Sequence, residues 1–257
     1  MLPYQLKRIL YLCFVNKIKF IFFSFFSLGF IFSQEIDPGN IESLLTKDYS
    51  AGLNMNTSGW GGAFEYSTQK NYKYKKTYGL LLTNIRHVKE FKIVGTSGSK
   101  GFFFGKINSL ISLRPYYGGK LLLFKSVREN GVEISYKWGA GASFGLVKPV
   151  YVELNKVESG SLIHYPVRYD PTTHYVGQIF SRSPWSKGLG EAKINLGVFI
   201  KNGVSFNFSH YRAGLSGGEI GFMIDYFPFK KIELMYLQDK SFLFASLYLQ
   251  FNLGKKF

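Results

Sequence analysis

The chain has 257 residues, a net charge of +16 at pH 7, 46% hydrophobic residues and one cysteine. A lone cysteine excludes a disulfide scaffold, and an aromatic content of 18% excludes a disordered polyelectrolyte. The basic balance invites a nucleic-acid reading, but 28 glycines with only 19% charged residues suit a membrane β-barrel better.

Residues 1–33 read as a cleaved secretory signal. Lys7, Arg8, Lys17 and Lys19 precede an apolar stretch over residues 20–32, and Ser33 offers a small residue at the cleavage point. That stretch is shorter than the roughly 20 residues a membrane-spanning helix needs, which disfavours an anchor. Cys13 precedes the stretch, so it is no lipidation site. Removing the segment would take its four bases away and lower the net charge from +16 to +12. Secretion would also separate the chain from cytoplasmic nucleic acid, so no nucleic-acid partner is expected. Residues 34–48 read as a polar periplasmic leader.

From residue 49 to residue 257 apolar and polar residues alternate with period two, the mark of half-buried strands. The spacing predicts strands over 49–57 and 59–68, where Trp60, Phe64 and Tyr66 oppose Gly61, Ala63 and Glu65. A weaker strand follows at 76–87. In 102–115, Ile107, Ile111 and Leu113 oppose Lys106, Ser112 and Arg114, and residues 118–131 read as a long connection. Residues 132–152 alternate strongly, with Glu133, Ser135 and Lys137 on the polar face. Residues 153–189 lack the pattern and read as a long loop. Strands then follow at 190–201 and 203–213, joined by a hairpin turn at Lys201-Asn202-Gly203, because Asn-Gly is the strongest short hairpin signal. The last three are 218–228, closed by Pro228, 231–237 and 241–254.

Placing the long loop outside and the termini in the periplasm gives an all-β, transmembrane, antiparallel up-and-down barrel of ten strands. Eight is the alternative, with segments such as 231–237 reduced to loop ribbons. A soluble sandwich would also alternate, but its outer face would not be Leu, Phe and Ile for about ten residues at a time.

The chain end, residues 248–257 (YLQFNLGKKF), resembles the assembly signal of outer-membrane barrel proteins, with Tyr248, Phe251, Leu253 and Phe257 as its apolar and aromatic positions. The resemblance implies recognition by the barrel-assembly machinery. Phe257 follows two lysines instead of closing the strand, a departure that leaves Phe251 as the other candidate aromatic. Gln34 after the apolar stretch, and a style rich in Lys, Asn, Tyr and Phe, resemble the small outer-membrane barrels of Bacteroidota, broadly OmpX- or OmpA-like. No wall-binding domain is expected after the barrel.

The polar faces carry Glu65, Lys106, Arg114, Glu133, Lys137, Lys193, Glu219 and Asp225. Four acids and four bases in a narrow bore are expected to form a lumen charge network that plugs it, with a small pore as the competing reading. His164, Asp170 and His174 share the long loop at a spacing that matches no mechanism, and Ser209 and His210 point to opposite faces of a strand. No catalytic, metal or cofactor site is therefore expected. Bases such as Lys89, Lys92, Lys100, Arg168, Arg182 and Arg212 would lie on the outer side, where outer-membrane lipid and lipopolysaccharide are the natural partners. In the loop 153–189, Tyr165, Arg168, Tyr169 and Trp185 are the candidates for contact with an envelope protein. The expectation is a non-enzymatic barrel with a structural or interaction role. A narrow channel is second, and a lipid-modifying enzyme or protease third.

Overall fold

The computed structural model describes residues 47–94, 100–125, 131–158, 161–208 and 214–257. The expected signal and nearly all of the leader lie outside them.

Thirteen strands are described: β1 (Lys47–Asn56), β2 (Gly59–Asn71), β3 (Tyr74–Ile85), β4 (Lys92–Ile93), β5 (Phe102–Phe103), β6 (Asn108–Phe124), β7 (Glu133–Pro149), β8 (Tyr151–Glu158), β9 (Ser161–Arg168), β10 (Ile179–Arg182), β11 (Lys193–Asn207), β12 (Gly214–Tyr226) and β13 (Leu243–Lys256). Eight of them close a barrel in the order β1-β13-β12-β11-β7-β6-β3-β2, every pair antiparallel. The seam pairs β1 with β13 from Asp48 opposite Lys256 to Asn56 opposite Tyr248. Beyond it, the Lys47 amide donates to the Phe257 carbonyl at 2.9 Å.

The expectation of ten strands is thus corrected to eight, for two physical reasons. The first is Lys201-Asn202-Gly203, which lies inside the unbroken strand β11 and makes no turn. Asn202 pairs with Trp138 on β7 and Phe222 on β12, and its Oδ1 accepts a hydrogen bond from the Tyr136 hydroxyl at 2.8 Å. Gly203 points inwards, where an added Cβ would stand 2.5 Å from the Tyr248 hydroxyl. The glycine makes room for a neighbour's ring and bends nothing. The second reason is that residues 231–237 form no barrel strand. They cross one end of the barrel and bond to residues 105–108: Ile107 N donates to Leu234 O at 3.0 Å and Tyr236 N to Gly105 O at 2.7 Å.

Other boundaries move with these. β6 runs on to Phe124, so the connection expected at 118–131 shrinks. Residues 214–217, which lie between the expected strands 203–213 and 218–228, begin β12. The barrel's two ends differ. One carries the long connections 86–107, 150–192 and 227–242. The other carries the short ones at 72–73, 125–132 and 208–213, together with Lys47 and Phe257.

Burial is inverted relative to a water-soluble protein. On β11 and β13 the outward Ile194, Leu196, Val198, Ile200, Leu243, Leu247, Leu249, Phe251 and Leu253 are 40–69% exposed. The inward positions hold Arg114, Lys137, Lys201, Glu219, Asp225 and Gln250, each buried. At the end with long connections the polarity reverses again. Phe227, Ile232, Leu234 and Met235 pack on Ile85 and Leu110 as an apolar stopper in the mouth. The expected loop 153–189 is itself folded: β8, β9 and β10 form a three-stranded sheet in the order β10-β8-β9. Its core of Val152, Leu154, Tyr169 and Ile179 also takes in Phe102 from the connection 86–107.

Candidate functional site

The interior side chains stack in layers along the barrel. At the short-connection end Asp48 on β1 accepts from Lys75 Nζ on β3 at 2.6 Å, and Glu133 on β7 accepts from Lys120 on β6 at 3.0 Å.

The middle layer is a closed ring of alternating charge. Lys137 Nζ lies 2.5 Å from Glu65 Oε2 and 2.6 Å from Glu219 Oε2. Lys201 Nζ lies 3.3 Å from Glu65 Oε1 and 3.0 Å from Glu219 Oε1. The remaining lone pairs are occupied as well. Tyr116 donates to Glu65 at 2.6 Å, Tyr248 donates to Glu219 at 2.5 Å, and Gln250 Nε2 donates to Glu65 at 3.1 Å. Lys201 also sits 5.2 Å and 5.1 Å from the ring centres of Tyr116 and Tyr248, at cation–π range. Two carboxylates and two ammoniums, each desolvated, are tolerable in such a place only because every charge has partners.

Above it, Arg114 on β6 forks onto Asp225 on β12 with two bonds of 2.7 Å. Ser143 donates to the same carboxylate at 2.8 Å and shares a 2.8 Å bond with Ser112. The Arg114 guanidinium lies 5.1 Å from the Phe199 ring centre. A planar guanidinium presents parallel donors, so this pair fixes geometry in a way a lysine could not. The apolar stopper caps this layer.

Of the eight charges expected in the lumen, the structure brings Glu65, Lys137 and Glu219 into the ring, Arg114 and Asp225 into the fork, and Glu133 into the end layer. It does not bring in the other two. Lys106 lies in the connection before β6, bound to Glu90 at 2.7 Å. Burial pushes its ammonium below the ordinary lysine pKa, and the Glu90 ion pair works against that. Lys193 is exposed at the start of β11. Both sit at strand ends, where parity no longer separates inside from outside. Lys201 completes the ring, and the turn composition of Lys201-Asn202-Gly203 hides it in the sequence. The available signal is the phase of the outward apolar residues, even at Ile194, Leu196, Val198 and Ile200 and even again at Val204 and Phe206.

The chain-end residues divide between two faces. Tyr248 points into the ring, Phe251 and Leu253 point outwards, and Phe257 lies against Tyr49 at 5.7 Å between ring centres. In the folded connection 150–192, Tyr165 and Trp185 are exposed, and Arg168 reaches Glu191 at 3.7 Å. Tyr169 is buried instead: its hydroxyl accepts the Gly105 amide at 3.2 Å, and burial raises its pKa. Among the described residues no three His, Cys, Asp or Glu side chains converge as a metal site. His210 and Arg212 lie outside the described residues.

The sequence matches no protein-family model and no curated protein. Solved structures similar to it include Ail, the attachment invasion locus protein of Yersinia pestis, at 10% identity over 83% of this chain and 99% of that one, with a TM-score of 0.37. Neisserial surface protein A matches at 10% identity over 84% and 98%, TM-score 0.37. The N-terminal β-barrel domain of Pseudomonas aeruginosa OprF matches at 9% over 83% and 98%, TM-score 0.36. The eight-stranded closure of this chain stands on its own strand pairing.

Proposed function

We propose that this chain is a sealed, non-enzymatic outer-membrane β-barrel whose folded connections form a docking head at the cell surface. The inverted burial carries the reading. An outer wall of exposed Ile, Leu, Val and Phe exceeds the apolar patches a water-soluble monomer tolerates, and it matches a hydrocarbon slab. Barrel strands of 10–17 residues are long enough for the 9–11 that a tilted membrane strand requires. A closed barrel leaves no backbone edge to hydrocarbon.

Long connections at one end, and Lys47 beside Phe257 at the other, support periplasmic termini. Residues 1–33 support export, residues 248–257 support recognition by the assembly machinery, and the Bacteroidota-type assignment rests on sequence style alone. The ring of Glu65, Lys137, Lys201 and Glu219 supports a sealed lumen over a channel. Exposed Tyr165, Arg168 and Trp185 are the contact residues offered to an envelope protein, and the loop-end bases are those offered to anionic lipopolysaccharide.

The test is reconstitution of residues 34–257 into planar bilayers. The expected outcome is insertion without conductance. Discrete current steps would overturn the sealed lumen. A chain that stays monomeric in buffer without detergent would overturn the membrane assignment itself.

A further inference from the structure

At the end with long connections a cleft of about 580 Å³ opens beside the ends of β2, β3 and β6. Its charged lining has one sign: Arg86, Lys100, Lys106, Lys148 and Arg182, with no Asp or Glu among them. Two of these are already engaged. Lys106 is held by Glu90. Lys148 donates to the Lys187 carbonyl at 2.9 Å and lies 5.6 Å from the Trp185 ring centre. Arg86, Lys100 and Arg182 are exposed and have no ion pair among the described residues. Arg86 is close enough to Lys106 to help depress its ammonium pKa, after the larger effect of burial.

Two more lining residues are unusual. Thr83 and Ser183 are 1% and 7% exposed, and their hydroxyl oxygens have no hydrogen-bond partner among the described residues. A buried hydroxyl without a partner is costly, so Ser183, next to Arg182 in the same cleft, marks a place where a partner belongs. Like charges in one cleft carry a further cost, which an anion would relieve.

We propose that this cleft binds a phosphomonoester carried on a sugar. A phosphomonoester brings close to two negative charges and three acceptor oxygens. Guanidinium groups clasp such oxygens with paired N–H bonds, and the Ser183 hydroxyl is a further donor. Trp60 and Trp185 line the same cleft, and flat aromatic faces accept the C–H face of a sugar ring. The inference deepens the lipopolysaccharide reading and rests on it only for the source of the phosphate.

The test titrates the detergent-folded chain, following the fluorescence of Trp60 and Trp185. The free probe is glucosamine 1-phosphate, the lipid-borne probe is monophosphorylated lipid A in micelles, and glucosamine, the same sugar without its phosphate, is the control. Saturable binding of either phosphate probe is expected, without binding of glucosamine. Replacing Arg86→Ala and Arg182→Ala together should weaken it about tenfold or more. Ser183→Ala alone should weaken it a few-fold, and this keeps the inference testable if the double variant misfolds. Binding of both probes means the headgroup suffices, and binding of the lipid-borne probe alone makes the lipid the ligand. Either result supports the site. The inference is overturned if neither phosphate probe binds, if glucosamine binds as tightly, or if the arginine and serine variants bind like the parent. Failure here with normal membrane insertion would leave the barrel reading intact. Binding of the free probe by a chain that stays in buffer without detergent would do the reverse.

Discussion

The middle and the loop end of this barrel are closed by opposite chemistry. In the middle, Glu65, Lys137, Lys201 and Glu219 hold one another by charge, and Tyr116, Tyr248 and Gln250 take up the spare lone pairs. At the loop end, the side chains of Phe227, Ile232, Leu234 and Met235 close the mouth by apolar contact. The difference follows from what each region leans on. The middle is walled by strands whose outward faces are already apolar, so polar residues must turn inwards and satisfy one another. The mouth is built by connections that face water and need an apolar centre of their own. Charge closure is specific and intolerant of partial loss. Apolar closure is graded.

That contrast can be broken most sharply at Lys137. Replacing Lys137→Ala strands two carboxylates in the interior with Lys201 as their remaining ammonium. The expected loss is about 3–5 kcal/mol of barrel stability, read as a fall in the denaturant midpoint of the detergent-folded protein. An unchanged midpoint would mean that the ring contributes little.

Phe227→Ala should cost about 3 kcal/mol, but locally. Amide hydrogens of residues 232–236 should exchange faster while those of β11 and β12 keep their protection. Uniform loss across the barrel would remove the distinction between the two regions. Arg114→Lys keeps the charge beside Asp225 and loses the fork, with an expected cost of about 1–2 kcal/mol. The same midpoint measurement checks it, and a cost equal to that of Lys137→Ala would erase the ranking of the interior layers. The smallest effect belongs to the surface. Lys240 meets Glu233 at 2.8 Å, with the lysine side chain 57% exposed. Lys240→Ala should cost under about 0.5 kcal/mol, and less still in high salt.

The wall of the barrel was readable from the sequence because its code is binary. Parity puts Ala63, Glu65 and Ser67 inside and Trp60, Phe64 and Leu82 outside, whatever the neighbouring strands are. The strand count was harder to read, since a local signal was set against a long-range one. Asn202-Gly203 has the composition of a turn, yet its neighbours decide otherwise: Tyr136 uses the asparagine and Tyr248 needs the space over the glycine. These partners stand 66 residues before Asn202 and 45 after Gly203 in the chain, beyond the reach of any local pattern. Residues 231–237 imitate a strand for a related reason. Their alternating apolar side chains fill the mouth, and a stopper lying over a barrel buries one face just as a strand does. The cleft around Arg86 and Arg182 was not legible at all, because it is assembled from the connections 86–107 and 150–192, whose mutual packing through Phe102 leaves no periodic trace.

The seam between β1 and β13 has a consequence for how this protein comes to exist. Its two strands lie at opposite ends of the described chain, and β13 also delivers Tyr248 and Gln250 to the interior ring. Until residues 243–256 arrive, β1 and β12 are both bare edges, and the ring lacks two of its hydrogen-bond donors. An unfinished chain therefore has no partly closed form to rest in, and it exposes two templates for wrong pairing. Closure must be the last event and must happen in one stroke, over the longest loop the chain can make. A protein built this way is protected less by the strength of any intermediate than by whatever holds its two open edges apart until the final strand is in hand.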